Sequence, residues 1–550
     1  MKRRLKSMLC LLILVMSTCL LSAKQTYATE KKEETHTITY HLNGGINPLG
    51  NPGSFITGTA VPLQTPTRKG YTFNGWYTEA GFQHSIREIP ATYDKDIQLY
   101  AKWSPTIYRI IYKLGGGKNN SKNPSSYTIK SKKITLQAPT RTGYYFTGWF
   151  INNKVHNTIE AGSTGTITVT AKWKKYSKKV YIKKNTTIYK TNATKYKLES
   201  AVKSQQYLSA DIKKGAYTAV MNVRTKKTGY VKTSLITTKK PTTDIVKKTK
   251  KLYDYKTMES NLKLLEKTYP QWMDVTTLTK TADKRNVYCV IIGNKKAKKQ
   301  VIVTSSMHAR EYLNTYFIMD MIEQYMNNYQ KKSGKINMTY EKLFNEICLY
   351  IVPMVNPDGV QISQYGYNGI SCKKLRNQVK KMLKGTSYKK WKTNANGVDL
   401  NRNFPVDWAK RNKVKKPGSS NYPGKSAASE KETKAIIKLY QSLSNPVASI
   451  AYHSMGNLID WDTAANNKYY SINKKMAKVA KKLTGYSYPS GDLVAGVGGS
   501  MGSWVSTGKM NMPNLTIETG SVSCPLPYSV YNRIWKENRY VVESITKLFY

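Results

Sequence analysis

The chain has 550 residues, with 40% hydrophobic and 11% aromatic side chains. That excludes a disordered polyelectrolyte and leaves room for several domains, at least one with a core of ordinary size. The charge is extreme, 89 Lys and Arg against 32 Asp and Glu for a net +57, so polyanions will attract the protein.

Lys2, Arg3, Arg4 and Lys6 precede an apolar run from Met8 to Leu21, with small residues at Ala23 and Ala28. This predicts a secretory signal peptide over 1–28, cut after Ala28, and the run is short for a spanning helix. No second run of spanning length follows, so no transmembrane segment is expected once the signal is removed. An exported protein of this charge meets anionic cell-wall polymers first. Those polymers are the expected polyanion, and no specific nucleic-acid partner is expected. Cys10 and Cys19 leave with the signal; Cys289, Cys348, Cys372 and Cys524 are too scattered for a disulfide framework. Cys289 and Cys348 sit in apolar runs and are expected as buried thiols, and the absence of a Cys-x-x-Cys pair argues against a thiolate metal site.

An internal repeat follows. Residues 37–103 run "TITYHLNGG", "TPTRKGYTFNGWY" and "QLYAKW"; residues 107–173 run "IIYKLGGG", "APTRTGYYFTGWF" and "TVTAKW". Alternating apolar residues, glycine turns and few helix formers predict two small β-rich units, with the aromatics as core. Through "GYxFxGW" and the closing "AKW" they resemble the Listeria–Bacteroides repeat of bacterial surface proteins. A third β-rich unit is expected over 176–237; its ending "KTGYVKTSLIT" resembles bacterial Src-homology-3-like wall-binding modules. Lys174, Lys175, Lys178, Lys179, Lys183 and Lys184 crowd its entrance. Residues 238–249, opening "TKKPTTD", read as a linker.

From residue 250 the pattern changes. Amphipathic helical segments such as "YKTMESNLKLLEKTY" alternate with the apolar strands "QVIVTSS", "EICLYIVPMV", "VASIAYHS" and "NLTIETG". This predicts an α/β domain over 250–550 with a largely buried sheet. Of six histidines only His308 and His453 fall here, each just after an apolar strand, where open α/β sheets build their sites. Two His and one Glu make a catalytic zinc site with an open fourth position. His308 and Glu311 at i and i+3 can converge on one ion, with His453 arriving from a distant strand end. Glu518, after the strand in "TIETG", offers a carboxylate base. In "GVDLNRNFP", Asp399 can accept the second N–H of a ligating histidine, while Asn401 and Arg402 suit a substrate carboxylate. Taken singly, each motif also fits a surface ion pair, a core histidine or a helix cap.

"HARE", "NPDG" at 356–359, "GVDLNRNF", "YHSMG" and "TIETG", in this order, resemble the zinc carboxypeptidases related to carboxypeptidase A. The resemblance implies a mixed sheet flanked by helices and one Zn2+ held by His308, Glu311 and His453. It also implies Glu518 as general base and proton shuttle, Asn401 and Arg402 on a substrate carboxylate, and Arg310 as a further substrate contact. Two departures stand out. The digestive enzymes' oxyanion-stabilising Arg falls at Ala395, and the Tyr that they carry shortly before a "GGS" string falls at Val494. Asn394 and Asn396 are the expected replacements for the Arg, with a contribution from Arg310. "WKTNANGVDLNRNFP" and "YHSMGNLIDW" resemble the family's bacterial branch, which includes γ-D-glutamyl-diamino acid peptidases. The sequence therefore predicts a secreted, wall-associated zinc peptidase acting on peptidoglycan stem peptides. The alternatives are a carboxypeptidase trimming protein C-termini, or a non-catalytic surface-binding protein.

Overall fold

In the computed structural model the described residues are 33–247, 252–410, 412–461, 468–488, 498–507 and 510–550. The expected signal peptide and Val494 lie outside them. The described residues form two compact units, one of those up to 141 together with 146–173, the other of 142–145 together with those from 174 onward. Among the described residues no helix is long and apolar enough to cross a membrane.

The two repeats build five-stranded sheets on one plan. In the first, Thr35–His41 pairs in parallel with Ile97–Pro105, which pairs antiparallel with Tyr71–Tyr77. In the second, Tyr108–Lys113 pairs in parallel with Ile167–Lys175, and Tyr144–Ile151 lies on the other side of it. The repeated tryptophans are structural. Trp76 and Trp149 are buried, and each donates its indole N–H to the backbone of Gln64 or Gln137 at 3.1 Å. Trp103 and Trp173 likewise donate to Leu42 and Leu114 at 2.9 Å. A Cβ on Gly45 or Gly117 would stand 2.6 Å from the closing indole, which explains the glycine in each "GG" turn.

Residues 178–237 form a seven-stranded sheet packed around Val180, Ile182, Tyr207, Val220 and Val231. All six lysines of the 174–184 cluster are exposed, and Lys178 pairs with Asp211 at 3.1 Å. This β unit is tied to the larger domain. Arg224 bridges Glu266 at 2.8 Å and Asp274 at 3.1 Å, and Lys267 donates to Ser200 at 2.6 Å.

The segment read as a linker is not a free tether. Its described part runs along the helix Leu313–Asn328, where Glu323 accepts from the amides of Ile245 and Val246 at 2.8 and 2.7 Å. Val246 is buried, and the Lys240 ammonium lies 4.6 and 4.4 Å from the ring centres of Tyr269 and Trp272. A carboxylate buried in an apolar helix needs donors, and this strap supplies them.

The larger domain is a seven-stranded mixed sheet flanked by helices. In spatial order its strands are Met273–Lys280, Asn286–Ile292, Ile347–Val352, Lys299–Ser305, Pro446–His453, Asn514–Glu518 and Leu458–Trp461. The central strands are apolar on both faces because both are covered. Val301 and Val303 join one core and Ile302 the other, as Leu349 and Ile351 are separated from Cys348 and Val352. Cys289 and Cys348 are buried free thiols. Three neighbouring strands, Lys299–Ser305, Pro446–His453 and Asn514–Glu518, run parallel. Their carboxyl ends therefore open at one edge, where the site is built.

Candidate active site

Strand order brings together residues far apart in sequence. His453 is the last residue of its strand and Glu518 the last of the next, and the two are directly paired in the parallel register. His308 follows the third strand and opens the single turn Ala309–Glu311, which returns Glu311 beneath it. The turn is held from outside, since Ala309 N donates to Lys392 O at 3.0 Å.

The three side chains converge and are all buried. His308 Nδ1 lies 2.7 Å from Glu311 Oε1, His453 Nδ1 lies 3.0 Å from Glu311 Oε2, and the two Nδ1 atoms are 3.1 Å apart. Two imidazole nitrogens and a carboxylate facing one point are the donor set of a zinc ion. At zinc–ligand lengths of about 2.0–2.1 Å, tetrahedral ligand atoms stand about 3.3 Å apart. Asp399 Oδ1, fully buried, is 3.4 Å from His308 Nε2. This long contact still favours the tautomer that leaves Nδ1 unprotonated for a metal. The group fits.

The electrostatics follow from burial. Desolvation works against the Glu311 carboxylate, but the charges of His308 and His453 outweigh it and hold the carboxyl well below its ordinary range. Asp399, likewise desolvated, is kept ionised by Lys392 and His308. Glu518 moves the other way: burial pushes it up to about 7, against the opposing charge of His453 and with Glu311 and Asp460 adding to the rise.

These residues line a cleft of about 820 Å³. Arg310, Asn401 and Arg402 line it too. Asn401 Oδ1 accepts from Met501 N at 2.8 Å, leaving its amide N–H₂ as donor, and Arg402 Nη1 is steadied by Asn401 O at 2.7 Å. Behind the metal group, Asn314, Ser454 and Thr519 form a closed buried hydrogen-bond triangle of 3.0, 2.9 and 2.7 Å. It locks the residues after His453 and Glu518 to the helix after Glu311.

The structure corrects one expectation. Asn394 and Asn396 do not line the cleft. Both amides donate to one oxygen of Glu430, at 2.7 and 2.8 Å, because that buried carboxylate needs partners. Ala395 is buried among Ala309, Ile362 and Trp391. Sequence reasoning also passed over two cleft residues. Lys392 lies one residue after Trp391, and Asp460 sits in the strand Leu458–Trp461 opposite Thr516. The other lysines near Lys392, at 389 and 390, hid the first; the alternation of "NLIDW" was the available signal for the second.

A mixed sheet with a His, Glu, His group at the ends of parallel strands and a half-buried carboxylate beside it is the arrangement of a metal-dependent hydrolase. Sequence comparison carries this further: residues 258–541 match the zinc carboxypeptidase model, and the chain belongs to that family and is a Zn2+ hydrolase. Residues 36–102 and 108–172 each match the Listeria–Bacteroides repeat domain. Among curated relatives, the γ-D-glutamyl-L-diamino acid endopeptidase 1 of Lysinibacillus sphaericus is 28% identical over 289 residues, covering 52% of this chain and 70% of that protein. Human mast cell carboxypeptidase A is 28% identical over 221 residues, covering 40% of this chain and 48% of that protein. A solved structure of bovine thrombin-activatable fibrinolysis inhibitor with tick carboxypeptidase inhibitor aligns with TM-score 0.44 and 20% identity, over 54% of this chain and 97% of that one.

Proposed function

We propose that the protein hydrolyses the amide bond between γ-D-glutamate and the diamino acid of peptidoglycan stem peptides, outside the cell and at the wall. The observation that carries the reading is the charge of the cleft, which Arg310, Lys392, Arg402 and Lys468 line with cations. Stem peptides carry carboxylates on D-glutamate and on the diamino acid, on both sides of the bond. Asp460 in the same cleft supplies an anion for the diamino acid's second amino group. The name of the Lysinibacillus relative supports the same substrate class.

In this reading His308, Glu311 and His453 hold the zinc. When bound, the ion supplies a Lewis acid and a water of lowered pKa. Glu518 takes the proton from the attacking water and delivers it to the departing nitrogen. Arg402 and Asn401 orient the substrate through a free carboxylate, and Asp399 fixes the tautomer of His308. The N-terminal β-rich modules and their exposed lysines keep the enzyme near its polymer. Incubating the protein with defined stem tripeptides beside blocked C-terminal dipeptides tests the proposal. Faster release of the diamino acid supports it, whereas cleavage of the dipeptides alone makes the protein a carboxypeptidase of ordinary peptides.

A further inference from the structure

The catalytic domain has a cationic face of its own. Between Asp358 and Asp399 the chain carries nine Lys or Arg and no Asp or Glu. The helix Lys373–Met382 lies in this stretch and buries Leu375 and Val379, which pack with Ile362, Ile370 and Trp391. Lys373, Lys374, Lys380 and Lys381 on it are exposed, as are Lys384, Lys389 and Lys390 beyond its end. Among the described residues none of these lysines forms an ion pair. By contrast, exposed Lys263 and Lys295 of the same domain reach Glu259 and Asp274 at 3.1 and 3.0 Å. Like charges three and four residues apart destabilise a helix. Lys373, Arg376 and Lys380 stand at that spacing, with no carboxylate to offset them.

These lysines surround a concavity. Tyr367, Asn377, Lys380, Lys381, Leu383 and Lys384 line a groove of about 590 Å³, which shares no lining residue with the catalytic cleft. A second lysine pair extends its rim. A Cβ on Gly397 would stand 2.6 Å from Met382 Sδ and 2.9 Å from Pro417 Cβ. The end of the helix and the turn that follows exposed Lys415 and Lys416 therefore meet at that glycine. Two features say what anion fits. Arg376 is turned to the backbone, its Nε donating to Ile370 O at 2.7 Å and its Nη2 to Ser371 O at 3.2 Å. The groove thus offers ammonium point charges, which suit phosphate, and no planar fork for a carboxylate. Tyr367 is its one aromatic lining residue, half-buried with Lys380 Nζ 5.4 Å from the ring centre. Single-stranded nucleic acids, in contrast, are held by stacking successive bases on aromatic side chains.

We infer that this groove and the lysines around it bind a base-free phosphodiester polymer, a chain with one negative charge per repeat such as a polyol phosphate of a bacterial wall. Lys380, Lys381 and Lys384 neutralise its phosphates, and release of the polymer's counterions drives association. Because groove and cleft are lined by different residues, the domain holds the polymer while the cleft stays open to substrate. Retention at the wall is then not left to the N-terminal modules alone, and the role of the groove does not depend on which amide is cut.

The test uses the full chain and a synthetic glycerol-phosphate decamer, with binding measured across a salt series. One variant combines Lys380→Gln, Lys381→Gln and Lys384→Gln. The other combines Lys475→Gln, Lys478→Gln and Lys482→Gln, exposed lysines of the helix Tyr470–Thr484. Both lose three charges from a net +57, so an effect of net charge alone is the same in each. At about 0.1 M salt the groove variant is expected to bind about 10-fold or more weakly, and the other variant to stay within about twofold of wild type. The slope of log affinity against log salt should become shallower by about 2 in the groove variant, since each neutralised phosphate of a single strand contributes about 0.7. Turnover of a small substrate should be unchanged in both, which reports an intact fold. Undiminished affinity in the groove variant, or equal losses in the two variants, would overturn the groove as the site. Single-stranded DNA with the same number of phosphates should bind no more tightly than the decamer. Tighter binding of the DNA, lost with the groove lysines, would make the surface a nucleic-acid site and overturn the polymer.

Discussion

His453 and Glu518 stand directly opposite each other at the ends of two adjacent parallel strands. Sheet register, not loop conformation, therefore sets the distance between an imidazole of the proposed metal group and the carboxylate proposed as base. Because Glu518 is not one of the three converging donors, its two possible roles separate cleanly. Glu518→Gln should retain zinc and substrate affinity and lose about 10²-fold or more in turnover. Metal analysis alongside kcat reads this, and unchanged turnover removes Glu518 from the mechanism.

The metal group makes a graded prediction. His308→Ala and His453→Ala each delete one of three protein donors and should abolish tight zinc binding. Asp399→Asn leaves the donors in place but weakens the orientation of His308, and should lower zinc affinity by about 10 to 100-fold. Zinc titration against a competing chelator distinguishes the two grades. Full occupancy in both histidine variants at low free zinc would dismiss the assignment.

What was legible in the sequence follows a physical pattern. His453 and Glu518 each close an apolar strand and His308 follows one within three residues, and a polar residue there announces itself because burial is expensive. Lys392 and Asp460 have no such contrast, and their meaning depends on which strands lie side by side. The Asn394 and Asn396 expectation failed for a related reason: Glu430, more than thirty residues downstream, claims both amides. The strap over 238–247 was missed because its anchors come from elsewhere in the chain. Glu323 in "YFIMDMIEQYMNNY" was the overlooked signal, a carboxylate on an apolar helix that had to be satisfied by something.

Stability should depend on pH through Glu543. Burial raises its carboxyl from the ordinary 4.5 to about 7, against the pull of Ser333, Tyr340 and Arg539. The folded state thus holds this proton more tightly than the unfolded chain. Below pH about 4.5 both states are protonated and there is no penalty; between there and about 7 the unfolded state ionises first, and folded stability falls as pH rises. Glu543→Gln removes this contribution, so its Tm relative to wild type should rise between pH 5 and 8. A Tm difference constant across that range would contradict it.

Attraction to the wall should have a local component. The six exposed lysines between 174 and 184 act over a Debye length of about 10 Å at 0.1 M salt and about 3 Å at 1 M. Changing all six to Gln in the full chain should lower retention on purified bacterial walls at low salt and shift release to lower salt. Sedimentation across a salt series measures it. An unaltered release curve would place the attraction elsewhere on this strongly basic chain.

Substrate choice can be divided between two sets of residues lining the cleft. Arg402 and Asn401 offer a fork to a carboxylate, and Asp460 offers an anion to an ammonium; all three line the same space. Asp460 and Thr516 are cross-strand partners, two residues along from Glu518, so residues 460, 516 and 518 share a face. The diamino acid released in the proposed reaction carries both groups, a carboxylate and a distal amine. Arg402→Ala should raise KM for the stem peptide with a smaller change in kcat, because a clamp on an unreacting carboxylate acts on capture. Asp460→Asn should weaken only peptides with a basic side chain at that residue: substrates ending in lysine should lose about 10-fold or more in kcat/KM, and those ending in norleucine should be unaffected. The quantity to measure is the lysine-to-norleucine ratio of kcat/KM in wild type and variant. If Asp460→Asn leaves that ratio unchanged, the amine is read elsewhere in the cleft, and the case for a diamino acid falls back on Arg402 alone.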